Sequence, residues 1–516
     1  MVYLVSNVPV VGEPAAAVAA HLGVPVEAVR SAELIRKSLD ARARPPRWVG
    51  VYKVDLAGDE DPGRGARRWS ERDEVRQQGV LPVTARTWTR RPIVVGAGPA
   101  GLFAALRLAE AGAPAILLER GQPVEGRIPE VNRFWRGQPL DPENNILFGE
   151  GGAGTFSDGK IYTRRRDGEL GWVFRTLVDA GADPEILQEA WAHLGTDKVR
   201  AILPVLRKRL LDSGVEVRFG ARVTGFIVEQ GVCVGVRLGD EELRGGPVVV
   251  ATGHSARDTM EALLEAGAVA DLRPIAIGAR IEHPQDLIDA ARYPTGRGDL
   301  PASSYRLAWT PKEGRAAYTF CMCPGGLVVP AQAEADHVVV NGMSFSTRRA
   351  RWANSALIVQ VDLADYGAGD ALAGVRFQDR IERAAFAMSG SYAAPAQRVE
   401  DFLAGRASTA LPRTSYPLGV TPVDLAALLP EPVITAMRSA IRKFDGELPG
   451  FAGPDGVLIA PETRTTAPLR FRRDAVSLES PTLPGLMPCG EGAGYAGGIV
   501  SAALDGFRVA EAIVRR

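Results

Sequence analysis

Apolar and polar residues alternate along "VYLVSNVPV" (residues 2–10), and a period of two predicts a strand. "EPAAAVAAHLG" follows and predicts a short helix closed by Gly23. The spacing in "PVEAVRSAELIRKSLDARAR" (25–44) predicts a second, amphipathic helix, and "RWVGVYKVDLAG" a second strand. "GDEDPGRGARRWSERDE" (58–74) is polar and glycine-containing and reads as loop. Residues 1–88 are therefore expected to form a small N-terminal α/β domain.

The pattern changes at Arg91. In "RPIVVGAGPAGLFAALRLAEAGAPAILLERG", Ile93 to Val95 form an apolar strand, and Leu102, Ala105, Leu106 and Ala109 recur at helical spacing. Gly112 stops the helix and "PAILLER" begins the next strand, which completes one βαβ unit. From Val215 to Gly253 the alternation, with Gln230-Gly231 and Gly239-Asp240 at turn positions, predicts a three-stranded meander and then a buried strand, Val248 to Val250. Residues 266–455 mix strands and helices without a clear period, as an inserted α+β domain does. Residues 456–516 close with a short strand, a glycine loop and a long helix. The boundaries expected are 1–88, 89–265, 266–455 and 456–516.

Gly96, Gly98 and Gly101 give G-x-G-x-x-G between the strand and the helix of that unit, the context in which the pattern is informative. Gly96 permits the tight turn, Gly98 lets backbone approach a pyrophosphate, and Gly101 allows close packing of helix on strand. The helix start, Pro99 and Ala100, presents free N–H groups and a positive dipole end to phosphate. Glu119 ends the second strand, where a carboxylate binds ribose hydroxyls and disfavours a 2′-phosphate; Arg120 beside it reads as a surface or adenine-side residue. Two features favour FAD over NAD. Ala251, Thr252 and Gly253 are small where the buried strand meets a cofactor. Near the C-terminus, Gly490 and Glu491 are expected to end a strand where an acid binds ribityl hydroxyls. Gly494, Gly497 and Gly498 then begin a helix whose end stabilises negative charge at the flavin N1–C2=O edge.

Composition narrows the partners more than the chemistry. Lys plus Arg (61) balances Asp plus Glu (61), so no global field attracts nucleic acid or an anionic membrane. The run "TRRRD" (163–167) reads as a solvated turn. No apolar run is long enough to span a bilayer and no secretory pattern opens the chain. With four cysteines there is no disulfide framework, and a cytoplasmic location is expected. The five histidines lack metal-ligand spacing, so no metal is expected.

Several blocks, "KSLDAR", "NNILFGEGGAGTFSDGKIYTR", "FCMCPGGLVV", "NGMSFSTR" with "NSALIV", "ETRTTAPLR" and "CGEGAGYAGGIVSAALDG", together resemble the largely uncharacterised FAD-dependent dehydrogenases. These are related to geranylgeranyl reductases and BaiN-like bacterial flavoproteins. The resemblance covers nearly the whole chain, although Glu491 stands where many wider relatives carry Asp. It implies an α/β, glutathione-reductase-type FAD-binding Rossmann fold with a β-meander, an inserted α+β substrate domain and a small N-terminal α/β domain. It implies noncovalent FAD along the glycine-rich block, with Gly151, Gly152, Gly154, Thr155 and Ser157 against the cofactor and Asp158 and Lys160 near the ring. Arg127, Val223 and Ile499 join the cofactor-binding set on the same ground.

The catalytic residues are open, with Arg464, Lys160 and Cys323 as candidates. An arginine such as Arg464, facing the flavin, binds a substrate carboxylate bidentately; a surface salt bridge is the alternative. Cys321 and Cys323, two apart on a strand, are expected to share a face, either as a redox pair or as packing. Pro324 to Gly326 read as a turn near the flavin. His254 follows Gly253 directly and lies near the cofactor or is structural. Two function classes follow. One is an FAD-dependent oxidoreductase (dehydrogenase, oxidase or C=C reductase) moving a hydride between a small organic substrate and flavin N5, with an unidentified electron donor or acceptor. The other is a flavoprotein that acts on, or senses through, a protein or RNA docked by the N-terminal domain.

Overall fold

The computed structural model describes all residues except 41, 42, 44, 45, 59–61, 64, 80–87, 164–166 and 368. All three arginines of the "TRRRD" run lie outside the described residues. The chain divides into two compact units, Met1–Pro82 with Lys160–Leu194, and Val83–Gly159 with Gly195–Arg516.

In the first unit an antiparallel sheet runs in the spatial order Val29–Asp40, Arg47–Leu56, Val2–Pro9, Ala66–Arg68. Its core packs Tyr3, Val5, Val8, Tyr52 and Val54 against Val18 and Leu22 of the helix Pro14–Leu22. The helix expected at 25–44 is instead the strand Val29–Asp40. Its pairing with Arg47–Leu56 shifts register between Val29 and Ser31 and between Leu34 and Arg36. Each bulge inserts an extra residue, which stretches a period of two into spacings of three and four that imitate a helix. The polar segment 58–74 is not all loop. Ala66–Arg68 is an edge strand, and Ser70 and Asp73 form a capping box that opens the helix Glu71–Gln78.

The expectation that 89–265 is continuous also fails, because Lys160–Leu194 belongs to this first unit. The physical reason is an edge left to be covered. The Lys37 amide donates to the Gln188 carbonyl, and the Ala190 amide donates to that of Lys37, on the open side of Val29–Asp40.

The second unit holds the Rossmann-type sheet. Five parallel strands lie in the order Leu486–Pro488, Val248–Val250, Ile93–Val95, Ile116–Leu118, Glu216–Arg218. The helices Pro99–Glu110 and Ile499–Val514 pack on each other, buried along most of their length. The meander is present as Gly225–Glu229, Val232–Leu238 and Glu241–Arg244, with turns at Gln230-Gly231 and Gly239-Asp240.

The inserted domain is an eight-stranded sheet in which Ala317–Pro330, Trp352–Val361, Ile275–Pro284 and Val457–Glu462 are central neighbours. The helices Ala373–Ser389 and Glu431–Glu447 contribute to its core. Strand Val457–Glu462 lies beyond the boundary expected at 455, since its hydrogen bonds go to Ile275–Pro284 and Ala394–Arg398. Among the described residues, no helix is long and apolar enough to cross a membrane.

Candidate functional site

The three motif glycines do distinct physical work. Gly96 turns the chain at φ 100°, its amide donating to the Leu118 carbonyl at 2.7 Å. A β-carbon on Gly101 would lie 1.8 Å from the Gly96 carbonyl oxygen, so strand and helix touch there as backbones. The nearest heavy atom to a β-carbon on Gly98 is the Gly152 α-carbon, at 3.9 Å. The glycine-rich block is thus laid along the phosphate turn. The Gly151 amide donates to the Ala97 carbonyl at 2.8 Å, and Gly154 faces Ile499 at the start of the last helix. Thr155 is buried and ties the block to the helix Thr196–Asp212, its carbonyl accepting from the Thr196 hydroxyl at 2.6 Å. Ser157 bonds within its own loop, to the Gly154 carbonyl and the Gly159 amide.

Glu119 is buried and accepts from the amides of Ala97 (2.8 Å), Gly121 (3.0 Å) and Gly149 (2.9 Å). A carboxylate offers about four acceptor positions, so this one anchors the loop and keeps capacity for a hydroxyl. Arg120 pairs with Glu143 and Asp258 and stacks on Phe148, so its charge is already matched by protein groups.

Arg127 is fully buried. Its Nε and Nη1 donate to the carbonyls of Asn145, Gly149 and Glu150, while Nη2 has no partner. Burial pushes its guanidinium down to about 9. Arg200, which no sequence signal singled out, stacks on the same aromatic ring as Arg127. Both guanidinium carbons lie over Phe156, at 5.0 Å and 4.3 Å, and burial pushes Arg200 down to about 10. A buried cation with an orphaned donor, beside a second under-compensated cation and a helix N-terminus, fits the diphosphate of FAD. Val223 and Ala251 are buried, Ala251 directly after the strand Val248–Val250, and Thr252, Gly253 and His254 are partly accessible.

The strand Leu486–Pro488 ends before Gly490, so Gly490 and Glu491 belong to a turn rather than to a strand end. Asp505 of the last helix holds that turn, accepting from the Gly490 amide at 2.8 Å and from both Nη atoms of Arg473. An acid inside the otherwise apolar stretch Ala502–Phe507 is the signal that would have found it. The helix itself begins at Ile499 with Gly498 as its N-cap, so Gly494 lies in the preceding turn. Gly492 abuts Gly253, a β-carbon there falling 2.3 Å from its carbonyl oxygen, which joins the C-terminal loop to the "ATGH" loop. Burial, then Cys321, pushes the Glu491 carboxyl up to about 8.

The "FCMC" segment departs from expectation. A register break between Phe320 and Cys323, with Cys321 at φ 47°, abolishes the alternation. Cys323 is buried with its Sγ directed at the Cys321 carbonyl, whereas Cys321 is partly exposed. Pro324 to Gly326 continue the strand Ala317–Pro330 instead of turning. Beneath the bulge, Arg280 is buried and paired with Glu462 through Nε and Nη2. It also donates to Asn341, Asn354 and the Cys321 carbonyl.

Arg464 is buried, which removes the surface salt bridge as an alternative. Its Nε and Nη2 are engaged by Glu382, and Nη2 also by Glu334, so bidentate binding of a substrate carboxylate is not open to it. Nη1 has no partner. Asp158 accepts from Ser344 of the large sheet. Lys160 lies in the first unit, bridged to His193. Among the described residues no group of His, Cys, Asp and Glu could hold a metal.

The fold and site define an FAD-binding flavoprotein. A family model for an FAD binding domain matches residues 91–129, and a model described as "FAD-dependent protein, C-terminal domain-like" matches 274–465. A protein of Clostridium beijerinckii, described as uncharacterized, is 39% identical over 504 residues, covering 96% of this chain and 94% of its own. The chain belongs to this family of FAD-dependent proteins. Solved structures with some likeness include a geranylgeranyl bacteriochlorophyll reductase-like protein from Thermoplasma acidophilum. It shows 14% identity and a TM-score of 0.35, covering 83% of this chain and 78% of that one. The flavin-dependent brominase Bmp2 shows 13% identity and a TM-score of 0.38, covering 83% and 79%.

Proposed function

We propose that the protein is an FAD-dependent oxidoreductase that moves a hydride between a small organic substrate and flavin N5. The observation that supports this most is the hydrogen bond from the Ser344 hydroxyl, on the strand Val340–Ser344 of the inserted sheet, to Asp158 of the glycine-rich block. The inserted sheet thus borders the glycine-rich block, which supports a substrate enclosed between that sheet and the flavin. FAD, when bound, supplies the hydride chemistry. The chain's own groups hold and orient. Gly98, Gly152 and the first amides of Pro99–Glu110 would receive the diphosphate with Arg127, and Glu119 the adenosine ribose. Glu491 would take the ribityl hydroxyls, and Gly498 would bring the last helix to the pyrimidine edge.

The test is to reduce the bound flavin anaerobically and screen a metabolite library for reoxidation, then to run the screen in reverse with oxidised flavin. A compound class that turns over the flavin in one direction identifies the reaction. A flavin that responds to no small molecule, yet is reoxidised by a protein or RNA fraction, would transfer the reading to a macromolecular partner.

A further inference from the structure

Arg464 is fixed on one side only. Its Nε donates to Glu382 at 3.1 Å and its Nη2 to Glu382 at 2.7 Å and to Glu334, while Nη1 is buried without a partner. Glu382 also accepts both bonds from Arg257 Nη2, at 3.0 Å and 2.9 Å, and the Thr463 hydroxyl. Burial opposes the Glu382 charge, but Arg464 and Arg257 outweigh it and hold the carboxyl far below its usual range. The local charges therefore close among themselves. Arg464 and Arg257 are matched by Glu382 and Glu334, and Asp379 is shared with His337, Arg383 and the far side of Arg257. His254 adds nothing positive near neutral pH, since burial, Arg464 and Arg257 push its imidazole down to about 4. Glu382 ties Arg464 to Arg257, which opens the helix following Gly253 and His254, and Gly253 in turn abuts Gly492 of the C-terminal loop, so the Arg464 cluster is linked to that loop through protein contacts.

A planar guanidinium engaged through Nε and Nη2 has only the two in-plane N–H bonds of Nη1 left to donate. Buried in a set of charges that already balance, that donor gains nothing from a further anion but still lacks a hydrogen bond. We propose that Nη1 of Arg464 donates to a neutral carbonyl oxygen, of an organic ligand or of the flavin pyrimidine ring, and that the site disfavours carboxylates. This rests on the cofactor and oxidoreductase reading above.

The experiment uses the FAD-loaded full-length protein, with flavin content measured first in every sample. Protein without FAD defeats the cofactor reading rather than this one. Propionamide and propionate, nearly isosteric, are titrated at constant ionic strength and read by the flavin difference spectrum. With an organic acceptor, propionamide binds at least about tenfold more tightly than propionate. In Glu334→Gln, where one negative charge is gone, the preference moves towards propionate by roughly tenfold. With a flavin carbonyl as acceptor, Arg464→Met shifts the flavin spectrum without any ligand, and propionamide has no effect on the parent protein. The proposal is overturned if the parent protein prefers propionate. It is also overturned if Arg464→Met matches the parent in both spectrum and titration. Should Arg464→Met fail to fold, a Glu334→Gln protein with unchanged preference overturns it.

Discussion

Gly506 of the last helix lies against Ala100 of the phosphate helix so closely that a β-carbon on Gly506 would be 2.0 Å from the Ala100 carbonyl oxygen. Contact at that range is backbone to backbone, and no side-chain rotation relieves it. Gly506→Ala must therefore push Ile499–Val514 off Pro99–Glu110, at an overpacking penalty of about 1–3 kcal/mol. In the reading proposed above, both helices supply N-termini to the cofactor. The thermal midpoint and the flavin content of the purified protein should fall together. A variant with the parent's midpoint would show that the two helices can separate without loss.

Arg280 and Glu462 form a buried pair in the middle of the inserted sheet, on neighbouring strands. Arg280→Met leaves Glu462 buried and unpaired, and breaking such a pair destabilises by about 3–5 kcal/mol. The double variant Arg280→Met/Glu462→Leu should recover most of that loss, because no uncompensated charge remains. Denaturant unfolding of the two single variants and the double variant checks this. A double variant no more stable than Arg280→Met would mean that Asn341, Asn354 and the Cys321 carbonyl, left without their donor, dominate the effect.

The cofactor half of this molecule was legible because its signals are local. Strand, glycine turn, helix and closing Glu119 are contiguous, and so are the meander and the C-terminal glycine loop. The failures have the opposite character. Two bulges in Val29–Asp40 rewrote a strand's period as a helix's, and a bulge at Cys321 undid the face shared with Cys323. Bulges are set by the partner strand, which a single segment does not display. Arg200, Arg257 and Glu382 carry no motif at all. They matter only because folding brings them to Phe156 or Arg464, from up to about two hundred residues away.

Glu491 makes stability depend on pH in a direction opposite to a salt-bridged acid. Its carboxyl is pushed from 4.5 up to about 8, so between these values the folded protein without cofactor keeps a proton that the unfolded chain has released. Stability contributed by that group is then lost as pH rises through this window. Glu491→Gln removes the dependence. The FAD-free variant should match the parent near pH 5 and exceed it near pH 9, by roughly 1–2 °C in thermal midpoint. Comparing the two proteins at each pH separates Glu491 from Glu282 and Glu462, whose carboxyls burial also raises. Identical midpoints at both pH values would place Glu491 in a well-hydrated setting.

Gly498 caps the last helix at φ 146°, ψ 171°, and a β-carbon there meets no protein atom within 4 Å. The first fact restricts the position to glycine, and the second leaves open space where flavin would touch backbone. If the helix start stabilises negative charge at the pyrimidine edge, it favours reduced over oxidised flavin. Dipole effects at a partly buried helix end reach about 2 kcal/mol, and about 1.4 kcal/mol corresponds to about 30 mV for a two-electron couple. Gly498→Val forces the cap out of its conformation and fills the space, which moves helix and ring apart. The expected result is a midpoint potential lower by some tens of millivolts on that scale, with reduced FAD affinity. Gly96→Val is the control. Its β-carbon would lie 2.5 Å from the Ala251 carbonyl oxygen, inside the phosphate turn, and FAD binding should be abolished. Spectroelectrochemical titration of the FAD-loaded variant decides the matter. Full occupancy with an unchanged potential in Gly498→Val would show that this helix does not face the flavin ring.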